Sequence, residues 1–310
     1  MPTLNYPHIA SMLFNTPLYA TPDLVQAVRA ALEPRLLGKS VSAESILNEA
    51  MNVSRSEERE MKNLEIHGRI AVIPVHGILV ARSGQIDAAC NELVSYERLA
   101  NRIQAAIKHE LVEEIVLDFH TGGGQAIGCH ELALRIREWT QIKPITALVN
   151  FAAYSAGYYL ASACSKIICS PTAGVGSIGV IIETYEVSKW EDEVGIKYNT
   201  FFRGAHKNDY SPHEPITDQA VEEINTRLDY SYNAFVESVS AHRNLDAEAV
   251  IDTQARCFNA QDALKLKLID EIKPAQLAID EIANKYTQST QSPGRSVRAK
   301  AAAIDINCRL

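Results

Sequence analysis

The sequence predicts an α/β fold built on a largely parallel sheet. Three observations carry this. Short runs rich in Val and Ile alternate with amphipathic helical stretches through residues 65–285. The strand–helix steps are short, which implies right-handed parallel crossovers. The apolar runs are nearly continuous, as suits a sheet buried on both faces.

In chain order, "ATPDLVQAVRAALEPRLLG", residues 20–38, reads as a helix. Thr21 is placed to cap it, Pro22 falls at its first position, and Gly38 can end it. Leu24, Val25, Val28, Ala31 and Leu32 recur at helical spacing. The polar stretch 38–63 reads as a mobile linker with room for a short charged helix. Residues 1–64 together form an N-terminal extension. The core then runs over 65–285. "RIAVIPVHGIL" (69–79), "EEIVLDF" (113–119) and "PITALVN" (144–150) are strands. "SYERLANRIQAAIKHE" (95–110) and "GCHELALRIREWTQ" (128–141) are amphipathic helices. Further on, "YEVSKWEDEVG" (185–195) reads as a helix, "IKYNTFF" (196–202) as a strand, and residues 217–243 as one long helix. Residues 286–310 read as a flexible polar tail.

A net charge of −8 argues against a large nucleic-acid footprint, which needs a basic surface. The six cysteines form no C-x-x-C pair and no zinc-like spacing, so the expectation is a reducing compartment with most thiols buried as small apolar groups. The N-terminus lacks a basic region followed by an apolar run. No window approaches the roughly 18 apolar residues that span a bilayer. A soluble, cytoplasmic protein without metal or other cofactor is expected.

Two segments could carry chemistry. "HTGGGQ" (120–125) follows the second strand. Three glycines at a strand-to-helix turn let the backbone approach another group closely, and N–H groups near residue 126 could hold an oxyanion. A tight turn alone accounts for them equally well. No phosphate-loop pattern is present. "AAYSAGYYLASA" (152–163) places Ser155 at the first turn of a helix after a strand. That is the topology of a nucleophile on a sharp turn, and also that of an ordinary N-cap. A nucleophile needs a base. His120 in the glycine segment is one candidate. Lys207, in "FFRGAHKNDYSP" (201–212), is another. A lysine base must be neutral, so its pKa of about 10.4 must fall by some 2–3 units through burial. Phe201 and Phe202 are placed to help exclude water; otherwise Lys207 is a solvated loop lysine.

"RIAVIPVHGIL", "GGG", "YSAGYYLASA", "PTAGVGSIGV" and "GAHKNDYSP" stand in an order and spacing that resembles the signal peptide peptidase A family of serine peptidases. Ser155 and Lys207, 52 residues apart, each sit inside a matching motif. The opening "YPHIASMLFNTPLYATPD" (6–23) is similar to the start of the phage lambda-type capsid-assembly (head maturation) branch. The resemblance implies a Clp-protease/crotonase-like spiral of strand–helix repeats and a Ser–Lys dyad. Ser155 matches the nucleophile, Lys207 the general base, and Ser177 in "GVGSIGV" the serine that orients the lysine. The Gly122 N–H matches an oxyanion donor, with that of Ala156 as the second and Gly123 as a near alternative. There are departures. His120–Thr121 stand where the family usually has Ser–Pro, and Y-S-A-G replaces A-S-G-G. The implied activity is a serine endopeptidase acting on procapsid proteins: scaffold, portal or itself. A homo-oligomer is implied, in the host cytosol or inside the procapsid, with no nucleic-acid or membrane partner. Two other readings stay open: a crotonase-like acyl-CoA enzyme, and a non-catalytic capsid scaffold or docking protein.

Overall fold

The computed structural model of the chain describes residues 14–36, 65–83 and 93–287. Gly38, the expected linker 38–63 and residues 288–310 of the expected tail lie outside the described residues.

Strand β1 (Leu18–Ala20) precedes helix α1 (Pro22–Leu36). β2 (Glu65–His67) and β3 (Ile70–Val80) form an antiparallel pair. β4 (Val94–Ser95) leads into α2 (Tyr96–Lys108), β5 (Glu114–Gln125) towards α3 (Cys129–Trp139), and β6 (Ile145–Tyr154) into α4 (Ala156–Ser162). β7 (Lys166–Cys169) and β8 (Gly174–Gly176) are followed by α5 (Ser188–Glu193), a 310 turn (Ala205–Asn208) and the long α6 (Asp218–Arg243). Then come α7 (Ala247–Ile251), β9 (Cys257–Asn259), α8 (Ala260–Lys265), β10 (Glu271–Ile272) and α9 (Ala275–Thr287). The sheet runs β10-β7-β6-β5-β3-β2, parallel from β10 to β3, so the predicted α/β class with parallel crossovers is what forms.

Period-two alternation sorts the strands between two layers. Ile115, Leu117 and Phe119 of β5 enter the main core with Leu99 and Ile103 of α2 and Leu132 and Ile136 of α3. Val116 points the other way, with Ile70, Leu148 and Ile168, against Ala278 and Ile282 of α9. Each such large side chain, fully buried, contributes about 1.5–3 kcal/mol. Helix α2 starts where predicted because the Ser95 hydroxyl accepts from the Arg98 N–H at 3.0 Å. Its buried residues Tyr96, Leu99, Ala100, Ile103 and Ala106 form one stripe. Tyr286, expected in the tail, belongs to α9, and its hydroxyl donates to the buried Glu114 carboxylate at 2.7 Å.

Two expectations need correction. The glycines of "HTGGGQ" are not a strand-to-helix turn: β5 continues through Gln125, and α3 begins only at Cys129. Their lack of side chains instead admits a strand on each side. A Cβ on Gly124 would collide with the Leu79 carbonyl of β3, and one on Gly123 with the Tyr19 carbonyl of β1. Second, "IKYNTFF" forms no strand; Ile196, Tyr198 and Phe201 are exposed. Strand-forming residues need a partner edge to pair with, and this segment has none. Within the expected N-terminal extension, β1 joins the sheet by pairing with β5. Thr21 does cap α1: its hydroxyl accepts from the Leu24 N–H at 3.3 Å.

Cys129, Cys164 and Cys169 are free and buried, and burial pushes the Cys169 thiol up to about 12. Cys257 is exposed; Cys90 and Cys308 lie outside the described residues. Among the described residues, no helix is long and apolar enough to cross a membrane.

Candidate active site

Ser155 stands at the junction of β6 and α4, the N-cap position. It does not do an N-cap's work. Its side chain makes no cap hydrogen bond, and its φ of 52° and ψ of −116° are far from the extended backbone of an ordinary cap. The residue is fully buried, and its Oγ has no hydrogen-bond partner. A buried hydroxyl left unpartnered costs about 1–3 kcal/mol, and such a backbone a similar amount. Both features together are unusual for a residue with a purely structural job, and such outliers cluster at functional sites.

The surroundings hold this turn firmly. The Ser155 N–H donates to the Gly176 carbonyl at 2.8 Å, and the Ser155 carbonyl accepts from the Tyr159 N–H at 2.9 Å. Tyr158 donates to the Leu268 carbonyl at 2.8 Å. Tyr159 stacks on Phe235 of α6 with ring centroids 4.4 Å apart, and its hydroxyl lies 3.0 Å from the Ala234 carbonyl and 2.7 Å from His130 Nδ1. Gly157 lies against Thr121 so closely that a Cβ there would meet the Thr121 methyl. Thr121, standing where the resembling family has Pro, is a residue that sequence reasoning missed. Its hydroxyl donates to the Gly77 carbonyl at 2.5 Å and accepts from the Gly123 N–H at 3.0 Å.

The other expected residues divide into two groups. Ser177 comes beside Ser155: β8 pairs in parallel with Ala152–Tyr154, and Ser177 follows directly. It is buried, with a φ of 55°, and its N–H donates to the Arg256 carbonyl at 2.9 Å. Gly122 and Gly123 follow Thr121, which pairs with Ala153, so they run alongside Tyr154 and Ser155. Ala156 opens α4, where an N–H has no intrahelical acceptor. Lys207 is not brought in. It lies exposed on the 310 turn Ala205–Asn208, and its ammonium bonds neither Ser155 nor any other described residue. The water exclusion expected from Phe201 and Phe202 is absent, because both are exposed; their segment is anchored instead through Tyr198, whose ring stacks on His213 with centroids 3.8 Å apart. His120 is also exposed, 5.0 Å from the Phe151 ring, and does not bond the Ser155 hydroxyl. Among the described residues, no group of three or more His, Cys, Asp or Glu is arranged to hold a metal.

A buried, unpartnered serine on a strand-to-helix turn, beside a glycine-rich strand, is the kind of arrangement in which an α/β frame can present a nucleophile. Known proteins place the chain further. Residues 137–289 match the pattern of peptidase family S49. The capsid assembly protease C of Escherichia phage lambda is 32% identical over 281 residues, covering 86% of this chain and 63% of that protein. The head-tail preconnector protein GP5 of Enterobacteria phage P21 is 30% identical over 288 residues, covering 90% and 57% respectively. The chain thus spans about three-fifths of the length of the curated relatives it matches. Among solved structures, a 1510-N membrane protease from Pyrococcus horikoshii aligns over 71% of this chain and 79% of its own, at 16% identity and a TM-score of 0.41.

Proposed function

We propose that this chain is a serine endopeptidase whose nucleophile is Ser155. The observation that carries the reading is the buried, unpartnered Ser155 hydroxyl on a backbone with φ of 52°. In the reaction Ser155 Oγ forms a bond to the scissile carbonyl carbon, and its proton passes to Lys207. Lys207 then protonates the leaving amine as the C–N bond breaks, and later activates the water that hydrolyses the acyl-enzyme. Ser177 orients the lysine. The Gly123 N–H is engaged by Thr121, which leaves the Gly122 and Ala156 N–H groups as the oxyanion donors of this reading. Each such donor typically supplies about 10²–10³ in rate. Lys207 must move from its exposed turn to reach Ser155, so the active form is an ordered one. A homo-oligomer that covers Phe201 and Phe202 supplies such ordering.

The names of the phage relatives support procapsid proteins as substrates: scaffold, portal or the chain itself. The test is co-expression with candidate capsid proteins, comparing wild type with Ser155→Ala and Lys207→Ala. Cleavage by wild type alone is expected. Cleavage undiminished in both variants would overturn the mechanism. A fluorophosphonate should label wild type at Ser155; a crotonase-like enzyme, having no activated serine, would not be labelled. A scaffold or docking protein would support normal assembly with Ser155→Ala.

A further inference from the structure

A peptidase must hold its substrate backbone extended beside the nucleophile, and an extended backbone is most simply held by pairing with a free strand side. Beside Ser155 that side belongs to β5. β6 covers it as far as Thr121, where Thr121 pairs with Ala153. Beyond the end of β6 at Tyr154, the same side of β5 is taken by β1. Ala20, Tyr19 and Leu18 pair antiparallel with Gly123, Gly124 and Gln125. The Thr21 N–H donates to the Gly122 carbonyl at 3.0 Å, and the Ala126 N–H to the Pro17 carbonyl at 3.2 Å. The opposite side of the segment is paired too. Leu18 and Ile181 exchange both main-chain bonds, at 2.9 and 3.0 Å, and the Asn15 N–H donates to the Glu183 carbonyl at 2.9 Å. Residues 14–21 therefore fill a slot between Gly122–Gln125 and Ile181–Glu183.

The way the segment leaves the slot matters. Thr21 is its last extended residue and lies opposite Gly122. A substrate's scissile carbonyl would face the nucleophile there. The Thr21 carbonyl instead accepts from the Val25 N–H at 3.0 Å, and Pro22 turns the chain into α1. Two side chains anchor the strand. The Tyr19 ring lies 5.5 Å from that of Tyr159 and 4.8 Å from that of Phe235, and its hydroxyl donates to the Ser231 carbonyl at 2.6 Å. Leu18 packs in a small separate cluster with Phe14 and Val25, against Ile181 and Tyr185.

We propose that residues 14–21 are a built-in stand-in for substrate. The slot takes an extended peptide carrying a large aliphatic and an aromatic side chain at the positions of Leu18 and Tyr19, and the resident segment must leave before that peptide can enter. The proposal rests on the reading of Ser155 as a peptidase nucleophile.

The test uses the full chain with Leu18→Cys and Ile181→Cys, an antiparallel pair whose spacing suits a disulfide. A fluorescent synthetic peptide of residues 14–21 is titrated against the oxidised and reduced forms in an additional Ser155→Ala background. A shut slot lowers apparent affinity by the fraction of time it is open, so the reduced form is expected to bind at least about tenfold tighter. Equal binding, or none in either form, overturns the proposal. The single variant Leu18→Asp, which weakens the small cluster, should bind the same peptide more tightly than wild type; unchanged affinity in a folded variant counts against the slot. With Ser155 retained, fluorophosphonate labelling together with protein cleavage unaffected by oxidation removes the stand-in while leaving the peptidase. Redox-gated peptide binding without labelling of the reduced form removes the peptidase while leaving the slot.

Discussion

Ser155 and Gly176 are joined through their main chains: the serine N–H donates to the glycine carbonyl at 2.8 Å. That bond helps hold Ser155 at φ 52° and ψ −116°, a backbone that favours glycine. Ser155→Ala and Ser155→Gly should both be inactive. They should differ in stability, with the glycine variant more stable by about 1 kcal/mol because it alone relieves the strain. Urea unfolding of the two variants checks this, and coincident midpoints would show that the turn is unstrained.

Lys207 gives a second prediction. Lys207→Ala should lower the cleavage rate by about 10²–10⁴, the usual worth of a positioned base. Lys207→Arg should not restore it, since a guanidinium stays protonated at working pH. Wild-type rates in either variant would remove Lys207 from the mechanism. Thermal unfolding should barely change, because the side chain is exposed and has no partner among the described residues.

Two glycines of positive or crowded geometry should separate strain from collision. Gly68 has φ +64° with open space around its would-be Cβ, so Gly68→Ala should cost about 1 kcal/mol. Gly124→Ala drives a methyl into the Leu79 carbonyl between β3 and β5 and should cost at least about 2 kcal/mol. Similar losses of Tm in both variants would argue against the close approach of those strands.

His242 predicts a pH dependence. Burial, then the nearby Arg137 and His130, pull its pKa from 6.5 down to about 4. Its Nδ1 lies 3.0 Å from the Ser162 hydroxyl. The folded protein therefore holds it neutral at pH values where the unfolded chain binds a proton. Its contribution is intact above about pH 6.5 and is lost as the pH falls towards 4. The shift alone would be worth about 3 kcal/mol; partial exposure discounts this to about 1–2 kcal/mol. Urea unfolding at several pH values should show a flatter acid limb in His242→Gln. An identical limb would assign the acid sensitivity to other groups.

How much could be read beforehand depended on how local the cause was. Helix α2 was legible because its cap, Ser95, and its apolar stripe lie within one stretch of chain. Thr21 and Pro22 opened α1 for the same reason. The role of Ser155 was ambiguous, because cap and nucleophile share a sequence position and differ in φ and in a hydrogen bond that tertiary packing decides. Three glycines suggested a turn, whereas their use is to let β1 and β3 approach β5. That depends on a strand about a hundred residues upstream, which no local pattern reveals. Ser177 was placed by motif and does fall beside Ser155. Lys207, placed with equal ease in its motif, lies on an exposed turn, because loop position follows from packing rather than spacing.

The two adjacent tyrosines of α4 have a consequence for synthesis. Tyr159 bonds a carbonyl 75 residues downstream, and Tyr158 one 110 residues downstream. On the ribosome, Ser155 emerges well before the partners that pin its helix. A nascent chain arrested near residue 200 is therefore expected to carry the serine in an unset turn, unreactive to a fluorophosphonate. On the reading of Ser155 as nucleophile, it would be armed only once Leu268 has left the ribosome and docked on Tyr158.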